Sequence, residues 1–225
     1  ENRTGAAGSV AFSYVKNQNP SGYVMGYAPV DLAIVDHLGY AAINPDDFHF
    51  LAMHTRAPAC IAVPAGSPWK TLDAFVTHAR NNPKQVNMAT SGTGSIWHLS
   101  SLAFARAADV SFSYVPFEGS GPAVTALLGQ HVDAVVAGPS EVQSHVEAGN
   151  VRVLGVMSDE RSRLFPDVPT LAEAGYDVQV SAWGGFMAPA GLPDDRRKQL
   201  TSALSNIIQS EGFAEFCRQR GLERA

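Results

Sequence analysis

The sequence predicts an α/β fold with a largely parallel sheet, and three observations carry that expectation. Short apolar runs of strand length alternate with stretches of helical periodicity. Proline after a small residue recurs where helical stretches begin, at Ser67-Pro68, Gly121-Pro122 and Gly138-Pro139. Glycine or an asparagine–proline cluster recurs where they end, at Gly129, Gly149 and Asn81-Asn82-Pro83.

Taken in order, Thr4-Gly5-Ala6-Ala7-Gly8 opens a helical pattern through Val10, Phe12 and Val15, which the turn cluster Asn19-Pro20-Ser21-Gly22 ends. Strands are expected at Tyr23–Tyr27, Phe48–Met53, Cys60–Val63, Val86–Ala89, Phe112–Val115, Ala134–Ala137, Val151–Val156 and Gly185–Met187. Between them lie helices from Trp69, around Ala123–Leu128 and around Glu141–Ala148, and the chain closes with charged-faced helices at Asp194–Gln209 and Gly212–Arg220. A βαβ unit needs a strand before its first helix, so a further strand and helix are expected ahead of Glu1.

Composition excludes several classes of function. With 45% hydrophobic and 16% charged residues the chain lies far from the disordered regime, and 225 residues can bury a core without staples. A net charge of -5 with no basic block argues against nucleic acid as a partner. Cys60 and Cys217 are far apart, with no ligand spacing nearby, so neither a zinc site nor a redox motif is supported. No apolar run approaches the length of a membrane span.

The densest chemical signal is Thr90-Ser91-Gly92-Thr93-Gly94-Ser95-Ile96-Trp97-His98, between a strand and a helix. Glycines let backbone approach a ligand, Ser95 can cap, and open amides at a helix start carry partial positive charge that suits an anion. It is neither a Walker loop nor a G-x-G-x-x-G fingerprint, and an ordinary capped turn would look the same. Pro116-Phe117-Glu118-Gly119-Ser120-Gly121 and Ala137-Gly138-Pro139-Ser140 repeat the device. In parallel α/β sheets ligands bind beyond the carboxyl ends of strands, where all three turns fall. Their neutral hydroxyls and small residues favour holding an anion over acid–base or nucleophilic chemistry, and no nucleophile elbow or H-E-x-x-H pattern is present. His98 reads as catalytic or as packing on its helix start, and Trp183 as a stacking surface or a brace.

Together, Glu1-Asn2-Arg3-Thr4-Gly5-Ala6-Ala7-Gly8, Ser91-Gly92-Thr93-Gly94-Ser95 with His98-Leu99, Pro116-Phe117-Glu118-Gly119 with Pro122-Ala123, and Phe165-Pro166-Asp167-Val168-Pro169-Thr170 to Glu173-Ala174-Gly175 resemble the Bug family. These are the TctC-like extracytoplasmic solute receptors of tripartite tricarboxylate transporters. The resemblance implies a two-domain periplasmic-binding-protein clamshell. Residues 1–60 with 190–225 would form the first domain and 61–189 the second, with hinge strands near Ala59–Pro64 and Met187–Pro189. It further implies a periplasmic monomer that binds a small carboxylate between its domains and hands it to membrane permease subunits, without cofactor, metal or catalytic residue. Ligand contacts would come from Ala28 and Pro29 on the first domain, and from Ser91, Thr93, Gly94, Ser95, Gly119, Ser120, Gly138 and Ser140 on the second, with Trp183 as a candidate contact. Family members usually carry Pro-Tyr-Lys-Gly where this chain has Pro116-Phe117-Glu118-Gly119, and often an acid where it has Ala137-Gly138. Glu118 is therefore expected to face solvent or a cation, and the ligand to lack an α-ammonium group. A ligand-sensing effector domain of the LysR type and a small-anion enzyme are the alternatives. The first should accompany a DNA-binding helix-turn-helix, and the second needs a nucleophile and base.

Overall fold

The computed structural model describes residues 1–3, 8–220 and 222–225 of the chain. It resolves into two units, Glu1–Arg56 with Ala182–Ala225 (unit 1) and Ala57–Ser181 (unit 2). The expected glycine-rich helix start at Thr4–Ala7 lies outside the described residues.

In unit 2, β3 (Cys60–Pro64), β4 (Asn87–Thr90), β5 (Ser113–Pro116), β6 (Ala134–Ala137) and β7 (Val151–Val156) form one sheet in the order β5-β4-β6-β3-β7. Around it lie α2 (Leu72–Asn81), α3 (Ile96–Ala108), α4 (Ser120–Leu128) and α5 (Pro139–Glu147). The expected parallel pairing holds at β4–β5 and β4–β6, where each strand is followed by a helix that returns the chain to the same end. It fails at β3, which runs antiparallel to both β6 and β7. The reason is topological, because β3 does not enter through such a crossover and is reversed between two strands that do. Ala and Val dominate β6, buried along its whole length, as a central strand covered on both faces requires. Its core joins Ala123, Val124 and Leu127 of α4 to Ala89, Val135, Ala137 and Val153 of the sheet.

Two helix starts in unit 2 differ from expectation. Ser67-Pro68 opens a turn in which the Trp69 N–H donates to Ser67 Oγ, and α2 begins only at Leu72, where Thr71 Oγ1 accepts from the Ala74 N–H. A hydroxyl cap outcompetes a proline start here because it satisfies an otherwise open amide. In α4 the cap is Gly119, two residues before the position Gly121-Pro122 suggests. At α5 the reading holds, with Pro139 as first helical residue.

Unit 1 has a four-stranded sheet, β1-β8-β2-β9, built from β1 (Gly26–Pro29), β2 (Phe48–Pro58), β8 (Ser181–Pro189) and β9 (Glu223–Arg224). The pairs β1–β8 and β2–β9 are antiparallel, contrary to a largely parallel reading. The expected first strand at Tyr23–Tyr27 shifts C-terminally, since Tyr23 is 88% exposed and only Gly26 onward pairs with β8. The close approach of β8 to its neighbours depends on glycine. A Cβ on Gly185 would stand 2.6 Å from the Ala52 carbonyl oxygen, and one on Gly184 would overlap the Tyr27 hydroxyl. Helix α1 (Ser9–Lys16) buries Phe12 and Val15 against Ala28, Leu32 and Met187, while α6 (Asp194–Gln209) and α7 (Glu211–Arg220) complete the unit. Among the described residues, no helix is long and apolar enough to cross a membrane.

Candidate functional site

Because β4, β5 and β6 are adjacent and parallel, their carboxyl ends at Thr90, Pro116 and Ala137 lie at one end of the sheet. The three turns that sequence reasoning singled out leave from that end. Trp97, in the first turn of α3, joins them. Its indole N–H donates to Ser120 Oγ at 3.0 Å, and its ring carbon lies 3.3 Å from where a Gly138 Cβ would stand. A Cβ on Gly92 would in turn meet the Phe117 carbonyl oxygen at 3.5 Å. One aromatic side chain thus spans the starts of α3, α4 and α5.

Within the first turn, Ser95 caps α3 by accepting from the His98 N–H at 3.3 Å, and its hydroxyl pairs with Ser91 Oγ at 3.0 Å. The Gly94 N–H is not open as expected of this turn, for it donates to His98 Nδ1 at 3.0 Å. This contact decides the reading of His98, whose ring also packs edge-on against Tyr114 at 4.9 Å between centroids. Nδ1 must be unprotonated to accept, and partial burial holds the imidazole below its usual range. Gly94 takes φ +78°, a conformation glycine adopts without strain. Thr93 is exposed at the tip. The Ile96 and Trp97 N–H groups at the start of α3, and those of Ser120 and Gly121 at the start of α4, have no protein acceptor among the described residues. The Thr90 hydroxyl, at the end of β4, is likewise buried without a partner.

The third start is arranged differently. Pro139 has no N–H, and that of Gly138 donates to Glu141 Oε2, so it is not open either. Ser140 keeps an open N–H and hydroxyl among the described residues. Glu141 makes no ion pair among the described residues. Its charge is felt by Cys60, whose thiol is pushed far up by complete burial and then by Glu141. Glu118 is exposed and likewise without an ion pair among the described residues.

The remaining candidates fall in unit 1. Ala28 is wholly buried in its core, so only its backbone is available, and Trp183 packs partly buried against the same cluster. Pro29 lines a cavity of about 430 Å3 with Tyr14, Tyr27 and Met187, where the Arg3 guanidinium lies 3.6 Å from the Tyr14 ring centroid. Sequence reasoning missed Trp97 and Glu141 as members of the site. Glu141 had a signal, the spacing of a helix-start residue followed three positions later by Glu. Trp97 had none beyond its place behind the serine cap.

Strand-to-helix turns gathered at one end of an α/β sheet form the crevice at which such folds bind ligands. A TctC solute-binding protein from Polaromonas, solved without ligand, is 30% identical with a TM-score of 0.84, over 100% of this chain and 77% of that one. MatC from Rhodopseudomonas palustris, solved with bound malate, is 29% identical with a TM-score of 0.85, over 99% and 77%. Protein BugT of Bordetella pertussis is 29% identical over 98% of this chain and 69% of its own length. The chain belongs to the tripartite tricarboxylate transporter family receptors, TctC, whose family model matches residues 1–225.

Proposed function

We propose that the protein is a periplasmic receptor that captures a small carboxylate at the starts of α3 and α4 and delivers it to the permease of a tripartite tricarboxylate-type transporter. The observation that carries the reading is the tie from Trp97 to Ser120, which holds two helix starts with open N–H groups side by side. Two helix starts present dipoles as well as donors, and together they replace the water a carboxylate gives up. No Lys or Arg occurs in the three turns, so neutral donors do the binding. The Ile96, Trp97, Ser120 and Gly121 N–H groups donate, with the Thr93 and Ser140 hydroxyls, in part through water. Ser91, Ser95, Gly94, Gly119 and Gly138 shape the backbone that presents them, and Ala28, Pro29 and Trp183 are the candidate contacts of unit 1. Malate in the related MatC supports a carboxylate as cargo. The protein acts as a monomer and by binding, in keeping with a family of receptors rather than enzymes.

A thermal-shift screen of mono- and dicarboxylates against neutral amides of the same skeletons tests this. A true ligand at 100 times its Kd adds about 2.7 kcal/mol of apparent stability. A screen in which no carboxylate raises the melting temperature, or in which the amides do so equally, would end the reading.

A further inference from the structure

We infer that Glu141 is a specificity-determining residue that selects ligands carrying a hydrogen-bond donor, hydroxyl or ammonium, beside their carboxylate. The inference rests on the carboxylate reading above and deepens it. Around Trp97 the helix starts are not equivalent. Those of α3 and α4 offer two open N–H groups each among the described residues, whereas at α5 the first amide is already taken by Glu141 Oε2, the second residue is a proline and Ser140 alone keeps an open N–H. One edge of the indole serves both, with Nε1 on Ser120 and the neighbouring Cζ2 at the Gly138–Glu141 corner. A Cβ on Gly138 would stand 3.2 Å from Glu141 Oε2 and 3.3 Å from the Trp97 ring. A donor region and an acceptor region therefore lie within the span of one side chain.

Glu141 is exposed, with one oxygen engaged by a backbone amide, a second oxygen with no protein partner and no ion pair among the described residues. An unpaired carboxylate accepts from a hydroxyl or an ammonium and repels a second carboxylate placed against it. The expectation from sequence, that no acid stands at this strand end and the ligand lacks an ammonium group, considered only Glu118 and the Ala137-Gly138 pair. Glu141 reaches back to that end from the first turn of α5.

A helix cap alone would explain the Gly138 contact, and the test separates the two roles. Calorimetry on the full protein compares three matched series: succinate, malate and aspartate; glutarate, 2-hydroxyglutarate and glutamate; phenylacetate, mandelate and phenylglycine. In the series that binds, the hydroxy or amino acid is expected to bind about tenfold or more tighter than the unsubstituted acid, the scale of one charge-assisted hydrogen bond. Glu141→Gln keeps an amide oxygen to accept from Gly138, so the fold should persist; with the repelling charge gone the unsubstituted acid should bind more tightly, and the preference should collapse. An unchanged ratio in Glu141→Gln, or no preference in the wild type, overturns the inference and leaves the carboxylate reading standing. Binding of none of the nine acids overturns both.

Discussion

The two units solve the covering of a sheet differently. Unit 2 buries its sheet under helices, and its core runs unbroken from Cys60 and Ala62 through Ala89 and Val135 to Leu127 and Val153. Unit 1 has smaller separate clusters, one around Phe12, Ala28 and Met187 and another around Leu51, Ala188 and Leu192. Among the described residues its surface also carries nearly all the exposed large apolar side chains, including Tyr23, Met25, Tyr27, Phe50, Met53 and Phe216, against Leu102 alone in unit 2. Parallel βα repeats in unit 2 also bring helix starts to one end of the sheet, which antiparallel pairing in unit 1 does not do. The continuous core and the proposed binding groups fall in the same unit, as positioning backbone donors to a fraction of an ångström would require.

The largest expected effect breaks that contrast at its core. Phe104 is fully buried, stacked on Phe112 at 6.0 Å and edge-on to Tyr176 at 6.0 Å. Phe104→Ala should cost about 3–5 kcal/mol in chemical denaturation. Tyr23→Ser, on an 88% exposed side chain of unit 1, should stay within about 0.5 kcal/mol. Comparable losses at the two positions would show that Tyr23 is covered in solution and that the contrast is not intrinsic to the chain.

The second effect concerns the helix starts. Gly94→Val would confound binding with strain, since φ is +78° there. Gly121 is the cleaner probe, with open space where its Cβ would stand and an ordinary backbone conformation inside α4. Gly121→Val should leave stability unchanged or slightly raised, because glycine is the poorer helix former. Carboxylate affinity should fall about tenfold or more as the branched side chain obstructs the approach to the Ser120 and Gly121 amides. Undiminished affinity would move the site away from α4.

Much of unit 2 was legible because its strands are short apolar runs bounded by glycine and proline. Ala134–Ala137 and Val151–Val156 fall where the runs do, and in unit 1 α6 spans Asp194–Gln209 as its helical pattern predicts. Local pattern does not carry direction, so the reversed β3 and the antiparallel sheet of unit 1 were invisible. The turns were readable from glycine and hydroxyl content, but which amides stay open was not. That depends on His98 reaching Gly94 and Glu141 reaching Gly138, contacts made by side chains one turn inside each helix. Trp97 was hidden for a similar reason, since an indole following a cap reads as core until its N–H is seen on Ser120.

A third, smaller effect is the pH response of the glycine turn. Burial holds the His98 imidazole below its usual range, so the folded state binds its proton less readily than the unfolded chain. Stability from this group is complete above the unfolded value of about 6.5 and declines as pH falls through it toward the folded value. Protonation also removes the acceptor for the Gly94 N–H. Between pH about 7.5 and about 5.5 the wild type should lose stability relative to His98→Gln, with the Gly94 amide resonance shifting over the same range. Parallel profiles for the two proteins would show that His98 binds its proton equally well in the folded and unfolded chain, so that neither burial nor the Gly94 contact bears on it.

The smallest effect lies in unit 1, where Lys16 Nζ at the end of α1 meets Asp47 Oδ2 at 2.8 Å and also donates to the Ala42 carbonyl at 3.2 Å. Asp47 Oδ2 accepts in addition from the Asn44 N–H at 2.8 Å, so the pair pins the end of α1 to the turn that leads into β2. Lys16, then the Asn44 amide, hold the Asp47 carboxyl below its ordinary range. A depressed carboxylate stabilises the fold above the unfolded value of about 3.9 and ceases to do so as pH falls through the folded one. Lys16→Met should therefore lower the melting temperature slightly near neutral pH, with the difference from wild type shrinking toward zero on acidification below about pH 4. In unit 2 the Arg161–Glu173 pair, at 2.9 Å with both side chains 46% exposed, should respond less to Arg161→Met and lose more of its effect in about 1 M salt. A larger loss at Arg161 than at Lys16 would mean that the loosely cored unit does not lean on its ion pair more than the densely cored one.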